Sequence, residues 1–336
     1  MGEPFYDFRV NHSNPVRIMV AGGDGTVMWA MSEVMAHNID VTKVAFGVIP
    51  FGTGNDFARS LGWGGSSPSG DIAKDGMKKF KRMVKRWLDA SVCEFDVWEV
   101  SLHVDSETGR IRQVKDKGKV VMLKDEGRLT SLSKPMCNYF SMGLESRIGL
   151  GFDKKRQNSS FMNKMVYGWE GLKKTFMSTP RIDEVVESVD GGSGVLLSFS
   201  SDKTSPTCVK GSPVSLIFMN INSFAGGCDL WTNSKKLGTH QPSPELKEVS
   251  QSCGDGQLEV ITYNSLPSLS AEQMKVFGGN GLRIAQEAGP VRIAFKKNTH
   301  KRSYMQIDGE FFTLDNPTHA EIVHKWKVNV LKGPKN

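Results

Sequence analysis

The stretch that most constrains the fold is VAGGDGT at residues 20–26, which follows the apolar run RIM and precedes a segment of helical character. Glycines between a strand and a helix let backbone N–H groups converge on one point and let a ligand approach closely. The N-terminus of the following helix adds a partial positive charge, so the junction favours an anion, most often phosphate. We therefore predict that Gly22, Gly23, Gly25 and Thr26 contribute to a nucleotide site.

Asp24 lies inside this junction, where its negative charge would repel a phosphate. The conflict is resolved if a divalent metal ion or a substrate hydroxyl also binds there. Kinases use an aspartate near the γ-phosphate to hold magnesium or to accept a hydroxyl proton. Asp24 is therefore a candidate catalytic, nucleotide-binding and metal-binding residue. The alternative is a plain glycine-rich turn in which Asp24 caps the next helix.

A second glycine-rich loop, PFGTGND at residues 50–56, follows the next apolar run, VAFGVI. Strand, loop, helix and strand in this order predict an α/β lobe with a parallel sheet. Both loops would then lie at the carboxyl edge of that sheet, where such folds bind ligands. The loop offers a free backbone, a hydroxyl, an amide and a carboxylate. Its predicted nucleotide-binding residues are Gly52, Thr53, Gly54, Asn55 and Asp56.

From residue 91 onward, short β-rich runs alternate with turns, which is typical of a β-sandwich. We predict a nucleotide-binding domain over residues 1–90 and a β-sandwich domain over residues 91–330. Helical spacing predicts further helices over residues 72–88 and 161–177. The first has a basic face, which is either a solvated surface or a contact for anionic lipid head groups. The second has an apolar face that either packs on the sandwich or guides acyl chains.

Charge and cysteine usage narrow the class of protein. The 43 Lys and Arg residues exceed the 36 Asp and Glu residues, which suits an anionic partner. The five cysteines are scattered and show no CxxC spacing, so we expect neither a zinc module nor a disulfide framework, and we expect a reducing compartment. We find no signal peptide and no apolar run long enough to span a bilayer.

GGDGT followed by PFGTGND resembles the catalytic domain of diacylglycerol kinases. GGDGT alone is shared with NAD kinases, but the second loop and the segment QIDGE argue against that family. The resemblance continues through NYFSMGLESRIGLGFDKKR at 138–156, NINSFAGGCDLW at 220–231, GDGQLEV at 254–260 and MQIDGEFF at 305–312. It implies an α/β nucleotide-binding lobe with a parallel sheet, similar to NAD and diacylglycerol kinases, followed by a β-sandwich domain.

The resemblance also implies an activity, the ATP-dependent phosphorylation of diacylglycerol to phosphatidic acid, with ATP and Mg²⁺ as cofactors. Asp24, Asp308 and Glu310 are the implied catalytic residues, and Asp24 and Asp255 the implied metal ligands. Two acids at i and i+2 share one face of a strand, so Asp308 and Glu310 can both face the cleft. The alternative for Asp308-Gly309 is a tight hairpin turn.

The implied partners are the diacylglycerol substrate and, through peripheral contact, an anionic membrane, without nucleic acid; the implied location is cytoplasmic. The sequence departs from the family at its start, because the strand and phosphate-binding loop that usually come well before GGDGT are not recognised. We therefore keep two hypotheses. The chain is either a lipid kinase, apparently truncated at its N-terminus, or a catalytically inactive lipid- or nucleotide-binding module on the same scaffold.

Overall fold

The structure is a computed structural model that describes residues 15–68, 74–115, 119–122, 129–153, 179–199, 205–273, 279–297 and 299–334. The strands of these residues are β1 Val16–Gly22, β2 Val44–Pro50, β3 Ser91–Val104, β4 Arg110–Lys115, β5 Lys119–Met122, β6 Ser131–Met136, β7 Tyr139–Gly143, β8 Val186–Gly191, β9 Gly194–Ser198, β10 Ser215–Met219, β11 Lys236–Leu237, β12 Leu258–Tyr263, β13 Leu282–Glu287, β14 Val291–Phe295, β15 Ser303–Ile307, β16 Glu310–Asp315 and β17 Pro317–Lys332. The helices are α1 Asp24–Ala36, α2 Asp56–Ser60, α3 Lys78–Asp89, α4 Leu144–Asp153, α5 Ile182–Val185, α6 Leu230–Asn233 and α7 Leu266–Gln273.

The first lobe is an α/β unit with parallel strands. β1 pairs in parallel with β2, from Val16 opposite Val44 to Gly22 opposite Pro50. Both strands therefore end at the same edge of the sheet, and the two glycine-rich loops follow them there. Apolar residues of α1, α2 and the sheet form one buried cluster beneath these loops.

The sheet of the first lobe is completed by a strand from far along the chain. The last part of β17 runs parallel to β2, with Val330 opposite Phe46. On its other side, β17 pairs with β3 along its whole length, from Lys332 opposite Ser91 to Pro317 opposite Val104. The long β3–β17 ribbon therefore belongs to both lobes.

Beyond the first lobe, the described strands form two sheets. In one sheet, β17 pairs with β14, β14 with β8 and β8 with β9, and β3 pairs with both β17 and β6. The other sheet has the strand order β11-β13-β12-β10-β7-β15-β16-β4-β5. One hydrophobic cluster draws on both, with Trp98 and Ile322 from the first sheet and Phe140 and Phe218 from the second. We call this part of the chain the second lobe.

The helix predicted over residues 72–88 begins later, at Lys78, because Gly76 and Met77 have φ values of +62° and +60°. Left-handed backbone cannot continue a right-handed helix. The helix predicted over residues 161–177 lies outside the described residues. No helix in the described ranges combines the length and apolar character needed to cross a membrane.

Candidate active site

The two glycine-rich loops contact each other through their backbones. A Cβ atom at Gly52 would lie 2.6 Å from the Cα atom of Gly23, and one at Gly23 would lie 3.0 Å from the Cα atom of Gly52. The N–H group of Phe51 also donates to the carbonyl oxygen of Gly22 at 3.0 Å. Side chains at Gly23 and Gly52 would force the loops apart, so the glycines let them form one continuous surface.

The residues of this surface that are exposed to solvent have small side chains or none. Gly25, Thr26 and Thr53 are exposed. The side chain of Thr26 folds back over Gly22, where a Cβ atom would lie 2.5 Å from the Thr26 hydroxyl oxygen. Gly54 lies against the acids, since a Cβ atom there would be within 4 Å of a carboxylate oxygen of Asp24. The loops therefore offer exposed backbone and hydroxyl groups beside a carboxylate.

Asn55 is buried, and its side chain holds the second loop in shape. Its amide oxygen accepts the N–H of Gly52 at 2.8 Å, and its amide nitrogen donates to the carbonyl oxygens of Gly52 and Gly65 at 2.9 and 2.8 Å. Its φ of +53° is a conformation that asparagine tolerates better than most residues. Because backbone groups occupy both ends of its amide, the side chain stabilises the loop from within.

Asp24 is the first residue of α1, yet its carboxylate caps another helix. It accepts the N–H groups of Asp56 at 3.1 Å and Phe57 at 2.9 Å, which are the first free donors of α2. The N-cap residue of α1 itself is Gly23, which has no side chain to cap that helix. Asp24 thus fixes the orientation of one loop relative to the other.

Asp56 joins the first lobe to the second, and we call its contacts the Asp56 latch. The residue is 2 % exposed. Its carboxylate accepts the hydroxyl of Ser223 at 2.5 Å and the N–H groups of Gly226 and Gly227 at 2.9 and 3.1 Å. The hydroxyl of Tyr139 donates to its second oxygen at 3.3 Å. The φ values of +93° and +111° at the two glycines turn consecutive N–H groups toward one point, a nest that binds an anion.

Asp308 lies in a hairpin turn. Ile307 pairs with Glu310, which leaves Asp308 and Gly309 as a two-residue loop with φ values of +47° and +81°. These are the angles of the turn that Asp-Gly favours between strands. The Asp308 carboxylate accepts the N–H groups of residues 137, 138 and 139 at 2.7, 2.9 and 3.0 Å.

The expectation that Asp308 and Glu310 share one strand face is therefore wrong, because the turn sends their side chains to different partners. Glu310 is exposed and its carboxylate contacts the ammonium group of Lys134 and the amide of Gln113. Of the two acids, Asp308 lies against the backbone at the start of β7, and Glu310 forms a surface ion pair.

The start of β7 brings three acids together. The N–H groups of residues 137–139 donate to Asp308, the side chain of Asn138 lies close enough to Asp24 to lower its pKa, and the hydroxyl of Tyr139 donates to Asp56. Burial raises the pKa of all three carboxyls, to about 6 for Asp56 and for Asp308, and the charge of Asp24 adds to the effect on Asp56. A carboxyl with a pKa near 6 is suited to accept a proton at neutral pH.

Arg59 supplies positive charge beside these acids, and the sequence analysis missed it. Its guanidinium donates to the carbonyl oxygen of Gly54 at 3.0 Å and lies next to Gly227, and its charge lowers the pKa of Asp24. Tyr139 and Ser223 were missed too. Both residues lie in stretches that carry the family resemblance, but no local sequence pattern indicates that Asp56 is their hydrogen-bond partner.

Asp255, the second predicted metal ligand, lies elsewhere. Its carboxylate accepts the N–H of Gln257 at 3.0 Å, in the turn that follows Gly254. The ammonium group of Lys327 binds the carbonyl oxygen of Gly254 at 3.0 Å and the carboxylate of Glu94 at 3.1 Å, and the charge of Asp255 helps to raise its pKa. A cation from the chain itself therefore already balances this acidic turn, and metal binding by Asp255 stays a prediction.

Two family models match the sequence in order. The diacylglycerol kinase catalytic domain matches residues 8–85, and the diacylglycerol kinase accessory domain matches residues 135–311, more than half of the chain. The chain belongs to the diacylglycerol kinase family. The second lobe, which supplies the start of β7 and the nest around Asp56, contains the accessory match.

Curated relatives agree with this assignment. Probable diacylglycerol kinase 3 of Caenorhabditis elegans is 27% identical over 94% of this chain, and human diacylglycerol kinase zeta is 28% identical over 88% of it. The chain spans 37% and 28% of their lengths, respectively. Among solved structures, a diacylglycerol kinase from Bacillus anthracis str. Sterne overlaps 95% of this chain and 76% of its own, with a TM-score of 0.42 and 13% identity.

Proposed function

We propose that this chain phosphorylates the free primary hydroxyl of diacylglycerol with ATP and produces phosphatidic acid. The observation that carries the proposal is the meeting of Asp24, Asp56 and Asp308 at the start of β7, beside the paired glycine-rich loops. In the reaction, the hydroxyl oxygen forms a bond to the γ-phosphorus, the bond from that phosphorus to the bridging oxygen breaks, and ADP leaves.

Each part of the site has a role in this reaction. The exposed backbone of the two loops cradles the phosphates, and Arg59 neutralises part of their charge. Asp308 accepts the hydroxyl proton, because its three backbone hydrogen bonds hold it in place and burial raises its pKa to about 6. The Asp56 latch holds the second lobe, and with it Asp308, against the loops.

The residues present fit Mg²⁺. The carboxylate oxygens of Asp24 are the ligand type that this ion prefers, and Gly54 beside them leaves free the position of a Cβ atom, 3.7 Å from one of these oxygens. Asp24 is the residue that we propose to hold the ion. When bound, Mg²⁺ supplies neutralisation of the phosphate charge.

The two sheets of the second lobe share one hydrophobic cluster, which supports a β-sandwich packed face to face. Because diacylglycerol resides in a bilayer, we also propose that the chain contacts an anionic membrane peripherally. All five cysteines remain thiols, which supports a cytoplasmic location.

The test is phosphate transfer from ATP-Mg to diacylglycerol, monoacylglycerol, ceramide and sphingosine in mixed micelles. The variant Asp24→Ala is compared with Asp40→Ala, which changes an acid on the surface of the same lobe. We expect diacylglycerol turnover in the wild type and in Asp40→Ala, and none in Asp24→Ala. Absence of turnover on every lipid by the folded wild-type chain would contradict the proposal and favour the inactive binding module.

A further inference from the structure

Helix α3 concentrates positive charge that no described acid pairs with. Its twelve residues include one acid and six bases, and no salt bridge in the described part of the chain involves any of the six. A solvated helix face normally mixes charges of both signs, with i,i+4 pairs between them. The six bases are Lys78, Lys79, Lys81, Arg82, Lys85 and Arg86.

The apolar side of the same helix is incompletely covered by the protein. Trp87 is the one side chain of α3 that is buried. Phe80 is 39% exposed, and Leu88 is 65% exposed. Met77, immediately before the helix, is 45% exposed. A helix held only by core packing would bury these large apolar groups, so the exposed set indicates a surface that is covered by something else.

Charge and apolar exposure coincide on one side of the helix. Lys78, Lys81, Lys85 and Leu88 follow the spacing i, i+3, i+7 and i+10, which places them on one side, and all four are exposed. We call these four residues the α3 basic stripe. Basic residues beside exposed apolar ones are typical of helices that lie in the interface of an anionic bilayer.

Helix α3 lies close to the candidate active site through Arg86. The Arg86 guanidinium sits over the Trp63 ring, 5.7 Å from its centroid. Trp63 belongs to the loop that leaves α2, and two residues later the carbonyl oxygen of Gly65 accepts the amide of Asn55. The loop that holds the nucleotide cradle in shape therefore continues directly to the side of α3.

We propose that the α3 basic stripe docks this protein on an anionic lipid bilayer, with the Lys side chains at the head groups and Leu88 in the acyl region. The proposal rests on the proposed lipid kinase function and adds to it the surface that meets the membrane. Complementary charge selects this occupant, because six bases on one helix, none of them in a salt bridge with a described residue, match a dense layer of anionic head groups.

The test separates docking from catalysis. Wild type, Lys78→Gln/Lys81→Gln/Lys85→Gln and Leu88→Ser are sedimented with vesicles of phosphatidylcholine, with or without phosphatidylserine. A control variant, Lys210→Gln/Lys236→Gln/Lys247→Gln, removes three exposed lysines from the second lobe. Phosphate transfer is measured in parallel with a short-chain diacylglycerol in neutral detergent micelles, which requires no docking on an anionic surface.

We expect the stripe variant to bind phosphatidylserine vesicles about a hundredfold more weakly than the wild type, since each Lys near such a surface contributes about fivefold. Leu88→Ser should weaken binding about tenfold, and the control should bind like the wild type. High salt should release the wild type. The stripe variants should keep the micelle activity of the wild type.

Two results would overturn the docking proposal: equal vesicle binding by the wild type and the stripe variant, or wild-type binding to nucleic acid but not to vesicles. Failure of the kinase proposal has a different signature, because then no variant shows micelle activity while sedimentation still reports docking.

Discussion

Replacing Asp56 with Asn removes a buried charge from the Asp56 latch and keeps an acceptor oxygen in it. That oxygen can still accept Ser223, Gly226 and Gly227, and the amide nitrogen can donate to the hydroxyl oxygen of Tyr139. Burial, the largest cause, raises the pKa of Asp56 to about 6 from an ordinary 3.8. The fold therefore favours the neutral carboxyl over the charged one by about 3 kcal/mol.

The sign follows from linkage. Because the folded-state pKa lies above the unfolded value, ionisation of Asp56 lowers the free energy of unfolding as the pH rises from about 4 to about 6. A neutral Asn at this position does not ionise and therefore does not lower it. We expect Asp56→Asn to raise the free energy of unfolding by up to about 3 kcal/mol at pH 7, by about half as much at pH 5, and hardly at all below pH 4.

Urea unfolding of metal-free protein at several pH values measures this difference. Asp40→Asn is the matched control of opposite sign, because hydrogen bonds from Thr42 lower the pKa of Asp40 and its charge therefore favours the folded state. A loss of stability in Asp56→Asn at pH 7 would refute the reasoning. It would mean that the charge itself holds the lobes together and outweighs the cost of burying it.

Gly52→Ala puts a methyl group into the backbone contact between the loops, so we expect a loss of about 1–3 kcal/mol in stability and weaker ATP binding. Gly25→Ala, which has open space around it, should keep the wild-type stability in thermal unfolding, while nucleotide titration reports the loss of ATP binding in Gly52→Ala. In the micelle assay, Asp308→Asn should slow phosphate transfer at least ~100-fold, while Glu310→Gln stays near the wild-type rate; the reverse ranking would make Glu310 the base. Lys327→Met removes the ammonium group from its acidic turn, so Mg²⁺ should raise the Tm of this variant more than that of the wild type. Equal shifts would show that the ammonium does not replace a metal.

The elements predicted correctly are those that local patterns determine. β1, β2 and the loops after them follow from apolar runs punctuated by glycine, and parallel pairing puts both loops at one edge. The assignment of Asp308 to a strand face failed for an equally local reason. Asp-Gly flanked by β-branched and aromatic runs is a strong hairpin signal, and here it outweighed strand alternation.

The parts that sequence reasoning could not find depend on distant partners. Asp56 was assigned to the nucleotide, yet its carboxylate binds Ser223, 167 positions later. An exposed ligand and an internal anion nest need the same residue type, so only the fold separates the two roles. Asn55 presents the same ambiguity, because the sequence does not distinguish an amide that hydrogen-bonds the backbone of its own loop from one that binds a nucleotide base.

The shared strand β17 has a consequence for how the chain is made. Phe46 of β2 reaches its partner Val330 only after the entire second lobe has been synthesised. At about 5–20 residues per second, β2 waits roughly 15 to 60 seconds with an open edge. The first lobe, although it comes first in the sequence, therefore completes its sheet last. A gene fragment that ends before β17 would leave that edge unpaired permanently and prone to aggregation.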